Sequence, residues 1–145
     1  MTISERITQA ARLGGALDVA VAWNDPDTGR HDHHQGDLWF HAASTMKVAV
    51  MVGLFDAIDQ GLVAPAQEIP IRNEFVSVAD GSRYQIDIGR DSNAVVHAAL
   101  GKSLPAVALA RHMIVTSSNL ATNLLVDLVG VEAIRSSLTR RGVDG

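Results

Sequence analysis

The stretch from Thr45 to Gly61 most constrains what this chain can fold into. It reads as a helix that is apolar almost all round in its first half, with Met46, Val48, Ala49, Val50, Met51, Val52, Leu54 and Phe55 preceding Asp56 and Asp59. A helix with apolar side chains on every side needs cover on every side. This one is expected to start inside the protein, with the other elements built around it. A chain of 145 residues, 47% of them apolar, is the size of one ordinary globular domain and can bury such a core. The longest apolar run, Val48 to Phe55, would reach only about 12 Å as a helix against a hydrocarbon core of roughly 30 Å, so no membrane span is expected.

Around that helix the pattern is mixed. Ile3 to Leu13 has apolar residues at helical spacing and ends at Gly14-Gly15, which predicts a surface helix. Two extended runs, Ala16 to Trp23 and Arg30 to Phe40, flank the turn formers Asn24 to Gly29 and predict an antiparallel hairpin. Leu62 to Arg72 holds two prolines and reads as irregular. A second, small hairpin is expected across Glu74 to Arg90, turning at Asp80-Gly81-Ser82. Beyond Gly101 the chain reads as helical: Pro105 to Val115, Asn119 to Val129 closed by Gly130, and Val131 to Arg141 closed by Gly142. No repeat, low-complexity segment or linker interrupts it.

The charge balance excludes some functions. The net charge is −4, and the basic residues are scattered apart from Arg140-Arg141, so neither nucleic acid nor an anionic membrane is an expected partner. There is no cysteine, which removes disulfides and thiolate chemistry. Glu5, Arg6 and Arg12 precede any apolar run long enough for an export signal, and Asp18 interrupts Leu17 to Trp23. Read alone, these residues suggest a cytoplasmic chain.

Two polar clusters could carry chemistry. Ser44-Thr45-Met46-Lys47 fits Ser-x-x-Lys, a pattern that about one place in a chain of this size matches by chance. Its position adds weight, because Ser44 lies where an extended run meets the buried helix, and a spacing of three puts Ser44 and Lys47 on one face. A serine hydroxyl needs a base to become nucleophilic, and a lysine amine serves as that base only when burial lowers its pKa. The helix N-terminus would favour an oxyanion nearby. The plainer alternative makes Ser44 a helix cap and Lys47 a side chain reaching out to solvent. The second cluster, Thr116-Ser117-Ser118-Asn119, falls between two helices and equally reads as a cap, or as a hydroxyl (Ser117) able to relay a proton beside an amide (Asn119) able to hold a carbonyl.

Taken together, Phe40 to Val48 around Ser44 and Lys47, and Ser117 to Leu125 around Asn119, resemble the class A serine β-lactamases and their penicillin-binding relatives, whose signature runs Ser-x-x-Lys, Ser-x-Asn, Lys-Thr-Gly. The resemblance covers most of the chain. It implies that Ser44 is acylated, that Lys47 helps deprotonate it, that Ser117 passes a proton to the leaving nitrogen and that Asn119 binds the substrate's amide side chain. It also implies a small β-lactam or peptidoglycan-like substrate, a monomer for the complete protein, and a family that usually works in the periplasm or outside the cell.

Some features depart from the family. Ser118 replaces the familiar aspartate, and Ser117 follows Ser44 by 73 residues, more than in compact members, with the Glu74 to Arg90 hairpin as the source of the extra length. The residues to Gly145 include neither a Lys-Thr-Gly strand nor the glutamate loop that deacylates class A enzymes, so a C-terminally truncated chain is expected. Such a chain would leave the hairpin with an unpaired edge and one face of the buried helix open.

His31, His33, His34 and His41 gather near Asp32 and Asp37, but the wet face of a hairpin accounts for them and neither metal nor cofactor is expected. His112, within a helix, reads as structural. The expected fold is α/β (α+β) of the β-lactamase/transpeptidase type, formed as one domain over 1–145. Within it, 1–43 supply a helix and the hairpin of an incomplete sheet, and 44–145 are mainly helical. The expected activity is acyl transfer by hydrolysis of a β-lactam amide. The alternatives are a penicillin-binding peptidase or esterase with the same nucleophile, and a silent homologue that only binds a peptidoglycan-like ligand or a protein.

Overall fold

In chain order the elements of the computed structural model are α1 (Ile3–Leu13), β1 (Val21–Asn24), β2 (His31–His34), a 3-10 turn (Ala43–Thr45), α2 (Met46–Asp59), β3 (Glu68–Pro70), β4 (Phe75–Val76), β5 (Arg83–Tyr84), a second 3-10 turn (Ile88–Arg90), α3 (Ala94–Ala98), β6 (Ser103–Pro105), α4 (Ala106–Val115), α5 (Asn119–Val129) and α6 (Val131–Thr139). The structure describes residues 1–143, which divide into a unit Met1–His41 and a second unit from Ala42 onward.

In the first unit Thr2 and Glu5 form a reciprocal capping box on α1, with the Glu5 amide donating to Thr2 Oγ1 (3.2 Å) and the Thr2 amide to Glu5 Oε2 (2.7 Å). Strands β1 and β2 pair antiparallel with Val21 opposite His34 and Asn24 opposite His31. Asp25 organises the turn between them, accepting from the Asp27 amide and the Thr28 hydroxyl. Both strands are shorter than the sequence suggests, four residues each. The alternation in Arg30 to Phe40 stops supporting pairing beyond His34, where Gln35 takes a positive φ of 50°.

The second unit is organised around α2, which is covered by α4, α5 and α6. Of the two expectations for this helix, full enclosure and one open face, the second holds. Lys47, Val50, Gly53, Leu54 and Ala57 are buried, whereas Val48 and Phe55 are 51% and 46% exposed. The core that α2 shares with Leu109, Met113, Leu120, Leu124, Leu125 and Ile134 is continuous. Gly130, at φ 85° and ψ 141°, joins α5 to α6 as a single residue in a backbone region that side chains avoid.

Three elements were not expected: β3, β6 and α3. Leu62 to Arg72, read as irregular, contains β3, which pairs antiparallel with β6 through Ile69 opposite Leu104. Pro65 lies outside the ladder, and Pro70 is tolerated because both strands of a two-stranded ladder are edges and it sits at the strand's end. The short helix α3 is capped by Asn93, whose side chain accepts from the amides of Val95 and Val96. The small hairpin expected across Glu74 to Arg90 is present as β4 and β5, with Phe75 opposite Tyr84.

Helix α6 lies close against α2 at Gly53. A Cβ there would come within 2.7 Å of Ile134 Cγ1 and 3.1 Å of Ile134 Cα. One turn on, Asp56 accepts from Arg140 Nη2 (2.8 Å) and from both terminal nitrogens of Arg141 (2.8 and 2.5 Å). Gly53→Ala is expected to push the helices apart and lower the unfolding free energy by about 1–3 kcal/mol, read as a lower urea midpoint. The bonds from Arg141, then Ser137 and Arg140, hold the Asp56 carboxyl well below its ordinary 3.8. Because the folded value is the lower one, this contribution is present above pH 3.8 and lost as pH falls below it. Asp56→Asn should therefore flatten the acid limb of the stability profile between about pH 4 and 2, measured by thermal melts across that range.

Candidate active site

The site lies within the second unit, where the start of α2 meets the connection between α4 and α5. Ala43 takes a positive φ of 45°, a conformation that costs a non-glycine residue about 1–3 kcal/mol, and this turns the chain so that Ser44 enters the 3-10 turn leading into α2. Ser44 is not the helix cap: it lies within the 3-10 turn, and Thr45 occupies the N-cap position of α2. The Ser44 hydroxyl oxygen lies 3.0 Å from Ser117 Oγ and 3.4 Å from Lys47 Nζ. Lys47 does not reach solvent either. It is 5% exposed, and its Nζ donates to the Ser117 carbonyl (2.7 Å), Ser117 Oγ (2.8 Å) and Asn119 Oδ1 (2.9 Å). All four residues singled out from the sequence, Ser44, Lys47, Ser117 and Asn119, thus meet around one nitrogen. Burial pushes the Lys47 amine below its ordinary value, and the negative charge of Asp91 opposes that shift.

The connection that supplies Ser117 and Asn119 is tightly held. The amides of Thr116 and Ser118 and the Thr116 hydroxyl all donate to the His112 carbonyl. Ser117 sits at φ 58° between them. Ser118 is wholly buried and caps α5, its Oγ accepting from the Ala121 amide (3.1 Å). Asn119 Nδ2 donates to the Arg90 carbonyl (3.3 Å), which fixes the amide with its oxygen towards Lys47. Behind it the Asn119 carbonyl accepts from Asn123 Nδ2, and Asn123 Oδ1 accepts from the Tyr84 hydroxyl of β5 (2.5 Å).

Sequence reasoning missed Asp91. Its side chain has no exposure, and its carboxylate accepts from the amides of Asn93 (3.2 Å), Asn119 (3.1 Å) and Leu120 (2.8 Å), from Ser118 Oγ (3.3 Å) and from His97 Nε2 (3.1 Å). Burial alone would raise the Asp91 carboxyl, but the amide bonds and His97 together hold it below its ordinary value, so it is a buried anion. The cap-rich run Asp91-Ser92-Asn93 before Ala94-Val95-Val96 signals a helix start and could have revealed α3. No local pattern links Asp91 to a loop 28 residues on. His112 is placed structurally, its Nδ1 2.8 Å from Asn93 Nδ2. Among the described residues no three His, Asp or Glu side chains are arranged to hold a metal ion.

Residues 2–145 match the sequence model of Beta-lactamase2, the beta-lactamase enzyme family. The chain belongs to that family. Solved structures agree on the fold. An ancestral class A β-lactamase representing the last common ancestor of Gram-negative bacteria has a TM-score of 0.78 at 24% identity, over 97% of this chain and 49% of its own. A β-lactamase from Xanthomonas campestris has 0.74 at 22%, over 94% and 47%. The structure of L2 complexed with relebactam has 0.66 at 25%, over 83% and 40%. No curated protein sequence matches. The fold of this β-lactamase-family chain is therefore the class A one, dominated by helices with small antiparallel sheets. The chain spans about half the length of these structures. No helix among the described residues is long and apolar enough to cross a membrane.

The departure at Ser118 now has a physical setting, because a carboxylate already lies 3.3 Å from its hydroxyl. Ser118→Asp writes the family's usual residue, yet here it would set two buried carboxylates side by side. It should destabilise the chain by about 2–4 kcal/mol in urea unfolding. The loss should shrink when Asp91→Asn is also present, as a double-mutant cycle would read.

Proposed function

We propose that this chain carries the acylating centre of a serine β-lactamase-type hydrolase. Ser44 is the nucleophile, Lys47 its base, Ser117 the proton relay and Asn119 a substrate-binding amide. The observation that carries the reading is the set of acceptors around Lys47. The Ser117 carbonyl and Asn119 Oδ1 can only accept, and a neutral amine has two N–H donors for these two partners. As an ammonium Lys47 gives its third N–H to Ser117 Oγ; in the neutral form a single lone pair takes that place, facing the hydroxyls of Ser44 (3.4 Å) and Ser117 (2.8 Å), and accepts from one of them at a time. Burial favours that neutral form.

The proposed step runs as follows. Ser44 Oγ attacks the amide carbonyl and forms the acyl C–O bond while its proton passes to Lys47 Nζ. The proton then moves through the Ser117 hydroxyl to the amide nitrogen as the C–N bond breaks, leaving an acyl-enzyme on Ser44. The second amide proton of Asn119 Nδ2, beyond the one given to the Arg90 carbonyl, is the donor available to a substrate carbonyl. A β-lactam is the first-choice substrate, since ring opening keeps the leaving amine tethered within reach of Ser117. A peptidase or esterase would use the same first step.

Mixing the protein with benzylpenicillin should add the mass of one penicilloyl group, mapping by peptide mass spectrometry to Ser44. Ser44→Ala should abolish the adduct, and Lys47→Ala should slow its formation by about 10²–10⁴-fold. A persistent adduct indicates a penicillin-binding protein and rapid turnover a β-lactamase. No adduct at any pH would leave a binding-only homologue.

A further inference from the structure

The acyl-transfer reading accounts for Ser44, Lys47, Ser117 and Asn119 and leaves unexplained a wholly buried carboxylate directly beneath them. Asp91 belongs to neither sequence motif. It arrives from the segment between the second 3-10 turn and α3, and it accepts five hydrogen bonds, three of them from peptide amides. Two of those amides, Asn119 and Leu120, are the first two of α5, which have no partner within their own helix. The third orphan amide, Ala121, goes to Ser118 Oγ, itself bonded to Asp91. The carboxylate thus closes the helix terminus that presents Asn119, and it fixes the far side of the strained peptide at Ser117.

The electrostatic arrangement points the same way. The charged or titratable neighbours of Lys47 are few. On its own helix Asp56 and Asp59 lie two turns or more away; α4 carries the exposed Arg111 and His112, whose ring bonds Asn93; α5 carries Asp127 towards its far end; α6 carries Glu132 and Arg135, paired with each other at the surface; and α3 offers His97 behind Asp91. Arg90 precedes Asp91 and is exposed. Asp91 is a buried anion, and its charge favours the protonated form of Lys47.

We propose that Asp91 is a positioning residue of this centre: its carboxylate holds the Ser118-Asn119-Leu120 backbone so that Ser117 and Asn119 converge on Lys47. The proposal rests on the acyl-transfer reading only for its consequence in catalysis. Its structural and electrostatic content can be tested without turnover.

Lys47 and Lys102 are the only lysines in the sequence. Protein labelled with ¹³Cε-lysine should therefore give two resolvable titrations, with Lys102 as the internal reference. In Asp91→Asn the Lys47 midpoint should move to lower pH while Lys102 stays fixed, because removing the anion removes what stabilises the ammonium. If penicillin acylates Ser44, the alkaline rise of the acylation rate should move to lower pH by the same amount, and the rate at its plateau should drop because the loop is looser. A purely structural role would lower the melting temperature and leave the Lys47 midpoint in place, and that result overturns the proposal. Should the variant fail to fold, the unaltered protein still decides. The amides of Asn119 and Leu120 should exchange slowly with deuterium although they open a helix, and fast exchange there overturns the proposal. Absence of acylation in the unaltered protein would sink the functional reading while the two NMR measurements still judge Asp91.

Discussion

The second unit is arranged around a buried amine. Lys47 stands on the one covered face of α2, and its nitrogen spans from that helix to the backbone and side chains of the α4–α5 connection. A lysine drawn out of water has to find hydrogen bonds or give up its proton, and here both outcomes are provided for. Three oxygen acceptors within 2.9 Å surround it, and burial biases it towards the neutral state. Removing these acceptors would leave a polar group stranded in the core. The loop is accordingly held from several sides: by the His112 carbonyl, by Ser118 acting as a cap, and by Asp91 beneath.

That bracing explains how the local backbone can be uncomfortable. Of the three non-glycine residues with positive φ among the described residues, Ala43 immediately precedes Ser44, and Ser117 is a member of the cluster itself. Strain of this kind persists only where surrounding contacts outweigh it. Packing around α2 supplies part of the compensation, with Gly53 letting Ile134 approach and Asp56 clasping Arg140 and Arg141 at the other end of the helix.

Much of this was legible in the residues. The periodic stretches at 3–13, 106–115, 119–129 and 131–139 fold as helices close to where capping and glycine signals place their ends. The spacing of Ser44 and Lys47 put them on one face, and the pairing of two polar clusters brought Ser117 and Asn119 to them. What escaped was non-local. The β3–β6 ladder depends on residues from two separated segments, one of them containing prolines that argue against a strand. Asp91 drew no reading from the sequence because its partners lie in α3 and at the start of α5, beyond any local pattern. The full enclosure expected of α2 failed for a related reason: composition reports how apolar a helix is, but not which neighbours are present to cover it.

Asn119 shows what such bracing implies for recognition. Its amide oxygen is engaged by Lys47, one of its amide protons by the Arg90 carbonyl, and its backbone carbonyl by Asn123. A ligand that bonds to the remaining proton meets a side chain whose rotamer has already been chosen. Little conformational entropy is then left to lose on association, so selectivity falls to the shape and polarity of the incoming molecule and not to any adjustment by the protein.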